Sequence, residues 1–261
     1  PAGNDILFDD ALCEQGRNFC SKIWNAFRLI KGWTVDDNIQ APDAAKLAVH
    51  WFESKQNEVA AEVADLFSKY RLSEALMAVY KLFWDEFSSW YLEMIKPAYG
   101  QGIDRTTYSA TLCFLDNLLH LLHPFMPFIT EELWQQMYER NAEEGESLMV
   151  SALSMDTYVD TAFVAQFEVV KGVISNIRSI RLQKNIAQKE PLDLQVLGEN
   201  PVAEFNAVIQ KMCNLSSITV VESKAEGASS FMVGTTEYAV PLGNMIDVEA
   251  EIARMEAELK H

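Results

Sequence analysis

Phe83-Trp-Asp-Glu-Phe-Ser-Ser-Trp-Tyr-Leu-Glu-Met-Ile-Lys-Pro97 decides the fold class of this chain. Phe83, Phe87 and Tyr91 recur every four residues, and Ala75, Leu76 and Val79 continue the same spacing upstream. Apolar residues three and four apart fall on one face of a helix, so the stretch predicts one amphipathic helix to Lys96, with Ser73 as its cap. Pro97 and Gly100 end it. Aromatics at this spacing read as core rather than as a stacking platform.

Outward from it, the same period repeats. Phe19, Ile23, Trp24, Phe27 and Ile30 predict a helix over 12–33, stopped at Gly32. Gly32–Asp43 reads as a loop, and Pro42 opens a second helix through Leu47, Phe52, Val59, Val63 and Leu66 towards Tyr70. Beyond Pro97, helices are expected over about 104–122 and from Thr130 to Tyr138, with His123-Pro124 between them. Five amphipathic helices without a convincing strand make a bundle, assigned to 1–150.

After Glu143-Glu-Gly-Glu146 the pattern changes. One more helix over 158–185 precedes strand-like Leu192–Leu197, a short helix over 203–212, and apolar runs at Ile218–Val221, Ser230–Val233 and Glu237–Val240. These predict a small α+β module with an antiparallel sheet over 151–245. From 246 to 261, Ile246, Ile252, Met255 and Leu259 are flanked by Glu and Lys, the pattern with which a coiled-coil helix begins. The fold class is mainly α: a helix bundle, a small α+β module and the start of a coiled coil.

The chain has 261 residues, of which 38 are acidic and 21 basic, giving a formal net charge of −17. Such a surface repels phosphate at long range, which excludes loose binding to DNA or to an anionic membrane. RNA binding then requires basic residues to be concentrated locally. Cys13, Cys20, Cys113 and Cys213 show no metal-binding spacing and read as reduced thiols. The sequence holds no membrane-length apolar run and no signal-peptide pattern, and because it opens on Pro1 it reads as part of a longer protein. No phosphate-cradling glycine motif and no nucleophile elbow occurs. His120 and His123 sit in a core-like setting and read as packing residues at a helix end. Glu131-Glu132 reads as a carboxylate pair favouring a helix start. The expectation is therefore no catalytic residue, no metal and no cofactor in this segment.

Two stretches contain no acid. Between Gln15 and Trp33 the charged residues are Arg17, Lys22, Arg28 and Lys31, interleaved with Asn18, Trp24, Asn25 and Phe27. Between Lys171 and Lys189 they include Arg178, Arg181 and Lys184. Single-stranded RNA asks for this mixture: cations for phosphate, aromatic faces for unstacked bases, and amides for base edges. All eleven are candidate RNA-binding residues. The competing reading is that the aromatics are core and the cations solvate the back of an amphipathic helix.

Several blocks together resemble one family. Gly16-Arg-Asn-Phe-Cys-Ser-Lys-Ile-Trp-Asn-Ala-Phe-Arg28, the Trp/Tyr-rich Ala78–Pro97, and Leu122-His-Pro-Phe-Met-Pro-Phe-Ile-Thr-Glu-Glu-Leu-Trp134 resemble the anticodon-binding region of class I aminoacyl-tRNA synthetases of the valine type. Asn176-Ile-Arg178, Pro191-Leu192, Pro241-Leu-Gly243 and Asp247–Arg254 are similar to that family's C-terminal module and coiled-coil arm, and Pro1–Asp5 to the segment after its catalytic domain. The resemblance covers essentially the whole chain. It implies a cytoplasmic, monomeric ligase that joins valine to its tRNA using ATP and Mg²⁺. It also implies that this segment grips the anticodon stem-loop, since the family's adenylation signatures are absent here. An isoleucine-type synthetase and a helical protein-interaction module are the alternatives.

Overall fold

The structure is a computed structural model and describes residues 9–138 and 146–243, which form two compact units meeting at Val159/Asp160. The first unit is helical. Helix α1 spans Asp10–Lys31, capped by the Asp9 carboxylate, and buries Phe19, Ile23, Ala26, Phe27 and Ile30. A two-residue strand β1 (Val35–Asp36) leads to α2 (Asp43–Ser68), which starts just after Pro42. Next comes one continuous helical rod whose register changes twice: α3 (Leu72–Lys81), a π-helical segment Leu82–Tyr91, and α4 (Leu92–Ile95). Strand β2 (Ile103–Asp104), α5 (Arg105–Leu122), α6 (Pro127–Met137) and a 3₁₀ turn, Leu148–Val150, follow among the described residues of the unit.

The aromatic rod forms the centre of this core. Phe83, Phe87 and Tyr91 are all at 0% exposure, and the Phe52 ring of α2 lies 5.3 Å from Phe87, 5.0 Å from Tyr91 and 5.1 Å from Phe114. Offset and edge-on pairs at such spacings add attraction beyond the area they bury. Tyr91 cannot bury its hydroxyl unpaired. It donates to Thr111 Oγ1 at 2.8 Å, Thr111 donates on to the Thr107 carbonyl, and the Thr107 amide is capped by Asp104. Gln56 donates to the Phe114 carbonyl and accepts from Asn117, which ties α2 to α5.

In the first unit, sequence and structure differ locally in four places. Ser73 lies inside α3, and the helix begins at Leu72 with Arg71, paired to Glu74, at its cap. The aromatic stretch is a π-helix rather than an α-helix, a register that side-chain spacing does not distinguish. Two short strands, β1 and β2, pair in parallel between helices read as having no strands among them. Glu131 is not in the first turn of α6, which begins at Pro127; its carboxylate accepts from the Leu148 amide at 3.0 Å and from Ser147 Oγ at 2.9 Å. His120 and His123 act as packing residues. His120 is hydrogen-bonded to the Asp116 carbonyl and Ser151 Oγ, and His123 to Thr130 Oγ1.

In the second unit, α7 (Thr161–Gln183) is followed by β3 (Leu192–Leu197), a 3₁₀ turn Ala203–Phe205, α8 (Asn206–Cys213), β4 (Leu215–Val221), β5 (Ser229–Val233) and β6 (Thr236–Val240). The sheet order is β4-β3-β6-β5. Leu192, Leu194 and Val196 alternate inward, as a half-buried strand requires. The sheet is mixed rather than antiparallel: β5 and β6 form a hairpin, but β3 and β4 run parallel because α8 crosses between them. The coiled-coil expectation over 246–261 lies outside the described residues.

Among the cysteines, Cys13 is exposed and Cys213 is buried, with burial pushing its thiol up to about 12. For Glu131, partial burial opposes ionisation. The hydrogen bonds from Gln135, Ser147 and Leu148, with His123 nearby, win and hold the carboxyl below its ordinary 4.5. A lowered folded value means that the ionised form adds stability above the unfolded value, and that this is lost as pH falls through the folded one. Urea titrations from pH 7 to pH 3 should therefore show Glu131→Gln less stable than wild type at pH 7, with the gap closing in acid; a constant gap contradicts this role.

Candidate nucleic-acid interface

Two adjoining stripes form the outer side of α1. Arg17, Ser21, Trp24, Arg28 and Lys31 recur at alternating four- and three-residue steps and share one face, spanning about 21 Å at 1.5 Å per residue. Asn18, Lys22 and Asn25 form the next stripe. The phenylalanines face inward because α1 has only one apolar side to bury, which leaves this face to solvent.

The amide stripe looks into a groove of about 380 Å³ whose walls include Asn18, Ser21, Lys22 and Asn25 from α1 and Ser88 and Glu93 from the rod. Lys22 is fixed above it: its ammonium lies 4.3 Å from the Trp84 ring, and Trp84 in turn stacks on Tyr80 at 5.5 Å with 17° between planes. A cation held over an indole keeps donors available for a phosphate or base edge. Lys31 Nζ donates to the Met137 carbonyl at 3.1 Å, so this lysine also pins the end of α6 to α1. Arg17 lies 3.8 Å from Glu14 in an exposed pair, and among the described residues no carboxylate pairs with Arg28.

Two of the eleven sequence candidates are corrected. Phe27 is 5% exposed and belongs to the core, which leaves Trp24, at 36%, as the aromatic of that pair that a base can reach. Arg181 is 1% exposed. Its Nη1 donates to the Ala187 carbonyl at 2.9 Å, and its Nη2 to the carbonyls of Cys213 at 2.7 Å and Asn214 at 3.3 Å. It is a buried cation at the C-terminal end of α8, where the helix dipole favours positive charge, and it joins α7 to α8. An acid-free run therefore flags both a surface and a structural arginine, and composition cannot tell them apart. In the second unit Arg178 is exposed and Lys184 half-buried. Sequence reasoning missed Ser88 and Glu93, whose contribution to the groove follows only from how the rod packs against α1.

Residues 49–196 match the family model described as anticodon-binding domain of tRNA ligase. The chain belongs to this anticodon-binding family of tRNA ligases. It is 72% identical to the valine–tRNA ligase of Phocaeicola vulgatus and 65% identical to that of Parabacteroides distasonis, in each case over the whole of this chain and 30% of the relative. Its identity to the valine–tRNA ligase of Enterococcus faecalis is 33%, over 98% of the chain. The chain thus spans about 30% of the length of these relatives. Helix α1 lies before the segment matched by the family model but within the span shared with the relatives.

The burial pattern separates packing residues from surface residues. Phe27→Ala should cost about 3–5 kcal/mol of unfolding free energy, as aromatic core truncations do. Arg181→Ala should cost about 2–4 kcal/mol, because it strands buried carbonyls. Trp24→Ala should stay within about 1 kcal/mol. Urea denaturation followed by circular dichroism measures all three; a Trp24 variant as damaged as the Phe27 variant contradicts the assignment.

Proposed function

We propose that this chain is the tRNA-recognition part of a valine–tRNA ligase, gripping the anticodon stem-loop of valine tRNA through the outer face of α1. The observation that carries the reading is the α1 surface itself: in a chain of net charge −17, Arg17, Lys22, Arg28 and Lys31 stand together on one helix with exposed amides and Trp24 beside them. The relatives named as valine–tRNA ligases support the choice of tRNA over other anionic partners and of valine over isoleucine.

The chemistry of the arrangement is division of labour. Lys22, Arg17 and Arg28 neutralise phosphates and set position, while Asn18 and Asn25 read base edges and Trp24 offers a stacking face. Binding energy gained at a distance from the reacting groups serves to orient the tRNA, whose acceptor end is aminoacylated elsewhere. In the second unit Arg178 and Lys184 supply further cationic contacts to phosphate. The longer protein works as a monomer in the cytoplasm, and its ATP and Mg²⁺ are handled by other parts. Among the described residues no group of three or more His, Cys, Asp or Glu side chains could hold a metal ion. No helix of the described residues is long and apolar enough to cross a membrane.

The test is a salt titration of binding to a valine tRNA transcript. Each phosphate contact to a single-stranded loop adds about 0.7 to the slope of log K against log salt. Arg17→Ala, Lys22→Ala and Arg28→Ala should each weaken binding and flatten that slope by up to this amount, and Asn25→Ala should change preference among anticodon variants with the slope unchanged. If the triple variant binds as tightly as wild type while remaining folded, α1 is only a packing element. A chain that binds no tRNA at all favours the protein-interaction reading.

A further inference from the structure

In the second unit, the turn between α7 and β3 is held from inside by two side chains. Ala187–Glu190 form a β-turn closed by the Glu190 amide, which donates to the Ala187 carbonyl at 3.1 Å. Arg181, 1% exposed, donates to the same carbonyl through Nη1 at 2.9 Å, while its Nη2 goes to the carbonyls of Cys213 and Asn214. Asn214, at a left-handed φ of +50°, donates through Nδ2 to the carbonyls of Gln188 at 3.1 Å and Lys189 at 3.0 Å. The Leu192 amide donates back to the Asn214 carbonyl at 3.2 Å, and the Ile186 amide to the Arg181 carbonyl at 2.8 Å. Three successive carbonyls, of residues 187, 188 and 189, are thus drawn inward. In a trans peptide the N–H points opposite to the carbonyl of the preceding residue, so the amides of Gln188 and Lys189 are turned outward. Both residues are exposed, and neither amide has a hydrogen-bond partner among the described residues.

We infer that this turn binds one phosphate group of the tRNA backbone through the main-chain amides of Gln188 and Lys189 and the Lys189 ammonium, with Arg181 and Asn214 as positioning residues; the inference rests on the tRNA reading above. Successive amides turned outward on one turn make a small, partly positive concavity of the kind that holds oxyanions. Lys189 adds a full charge on the same turn, and Lys184 stands five residues before it. Arg178 and Arg181 both lie close enough to Cys213 to act on its thiol, which places two further cations beside the clamp. The opposing carboxylates are Glu190, which closes the turn and acts on Arg181, and Asp193 of β3, which accepts from Ser217 Oγ at 2.6 Å. Cations therefore outnumber carboxylates around this turn, the reverse of the chain as a whole with its 38 acidic and 21 basic residues. The clamp also fixes the turn before any ligand arrives, so little conformational freedom remains to be lost on binding. Free phosphate shares this chemistry, and the experiment separates it from RNA.

The probe is a valine tRNA transcript added to the isotope-labelled chain, with inorganic phosphate as a second arm and the amide resonances of Gln188 and Lys189 followed by NMR. Both resonances should move on adding the transcript. Affinities of variants for the same transcript are read by fluorescence anisotropy over a range of salt. Lys189→Ala should weaken binding and flatten the slope of log K against log salt by about 0.7–0.9, the loss of one phosphate contact. Asn214→Gly keeps the left-handed backbone and every charge but frees the turn, so affinity should fall about 2- to 10-fold with the slope unchanged. An Asn214 that served only the fold would lower the thermal midpoint and leave affinity where it was, which overturns its positioning role. The NMR reading needs no variant and stands whatever the stability of Asn214→Gly. A transcript that binds while both amides stay unmoved overturns the inference and leaves the α1 reading standing. Amides that respond to inorganic phosphate but not to the transcript overturn it as well, and a wild-type chain that binds no tRNA overturns both readings.

Discussion

The first unit depends on how Phe52 of α2 meets Phe87 and Tyr91 of the rod and Phe114 of α5. No ring in that cluster has any other apolar place to go, and together they fix the relative positions of three helices. The Tyr91 hydroxyl adds direction to what would otherwise be non-directional burial. Its chain of hydrogen bonds through Thr111 and Thr107 ends at Asp104, so the register of α5 is tied to the same ring that fills the core. Because Asp104 is also the last residue of β2, the constraint reaches the paired loops at the end of α1. The interior of the bundle thereby sets the geometry of the segments that follow α1.

The π-helical register of Leu82–Tyr91 is part of the same constraint. It keeps Phe83, Phe87 and Tyr91 on the buried side over ten residues, while Trp84 and Ser88 turn towards α1. Trp84 then lies beneath Lys22 and Ser88 in the groove wall. π-Helical segments are uncommon in proteins and often occur at functional sites. Here the segment couples the packing of the core to the placement of a lysine on the surface.

Helix positions were readable because apolar period and stop signals agreed: Gly32, Pro42, Pro97 and Asp104 each mark an end that the structure also shows. What could not be read depends on contacts between distant segments. The parallel pairing of β3 with β4 follows from α8 crossing over, and nothing in either strand's alternation encodes direction. The cap at Arg71 rather than Ser73 reflects the tight turn at Tyr70 and the pairing of Arg71 with Glu74. For the candidate site, the sequence identified the basic face of α1 but not which aromatic pointed outward, since Trp24 and Phe27 are separated by less than one turn. It marked Arg181 with its neighbours because charge is visible in sequence and burial is not.

The central claim is that an acidic chain binds tRNA through the basic face of one helix, α1. The most direct measurement is ultraviolet cross-linking of the chain to a valine tRNA transcript, with the attached peptides mapped by mass spectrometry. The account predicts adducts on the α1 peptide containing Trp24, competed by unlabelled valine tRNA and lost at high salt. Adducts confined to the second unit, or found on α1 but insensitive to competitor, would contradict it.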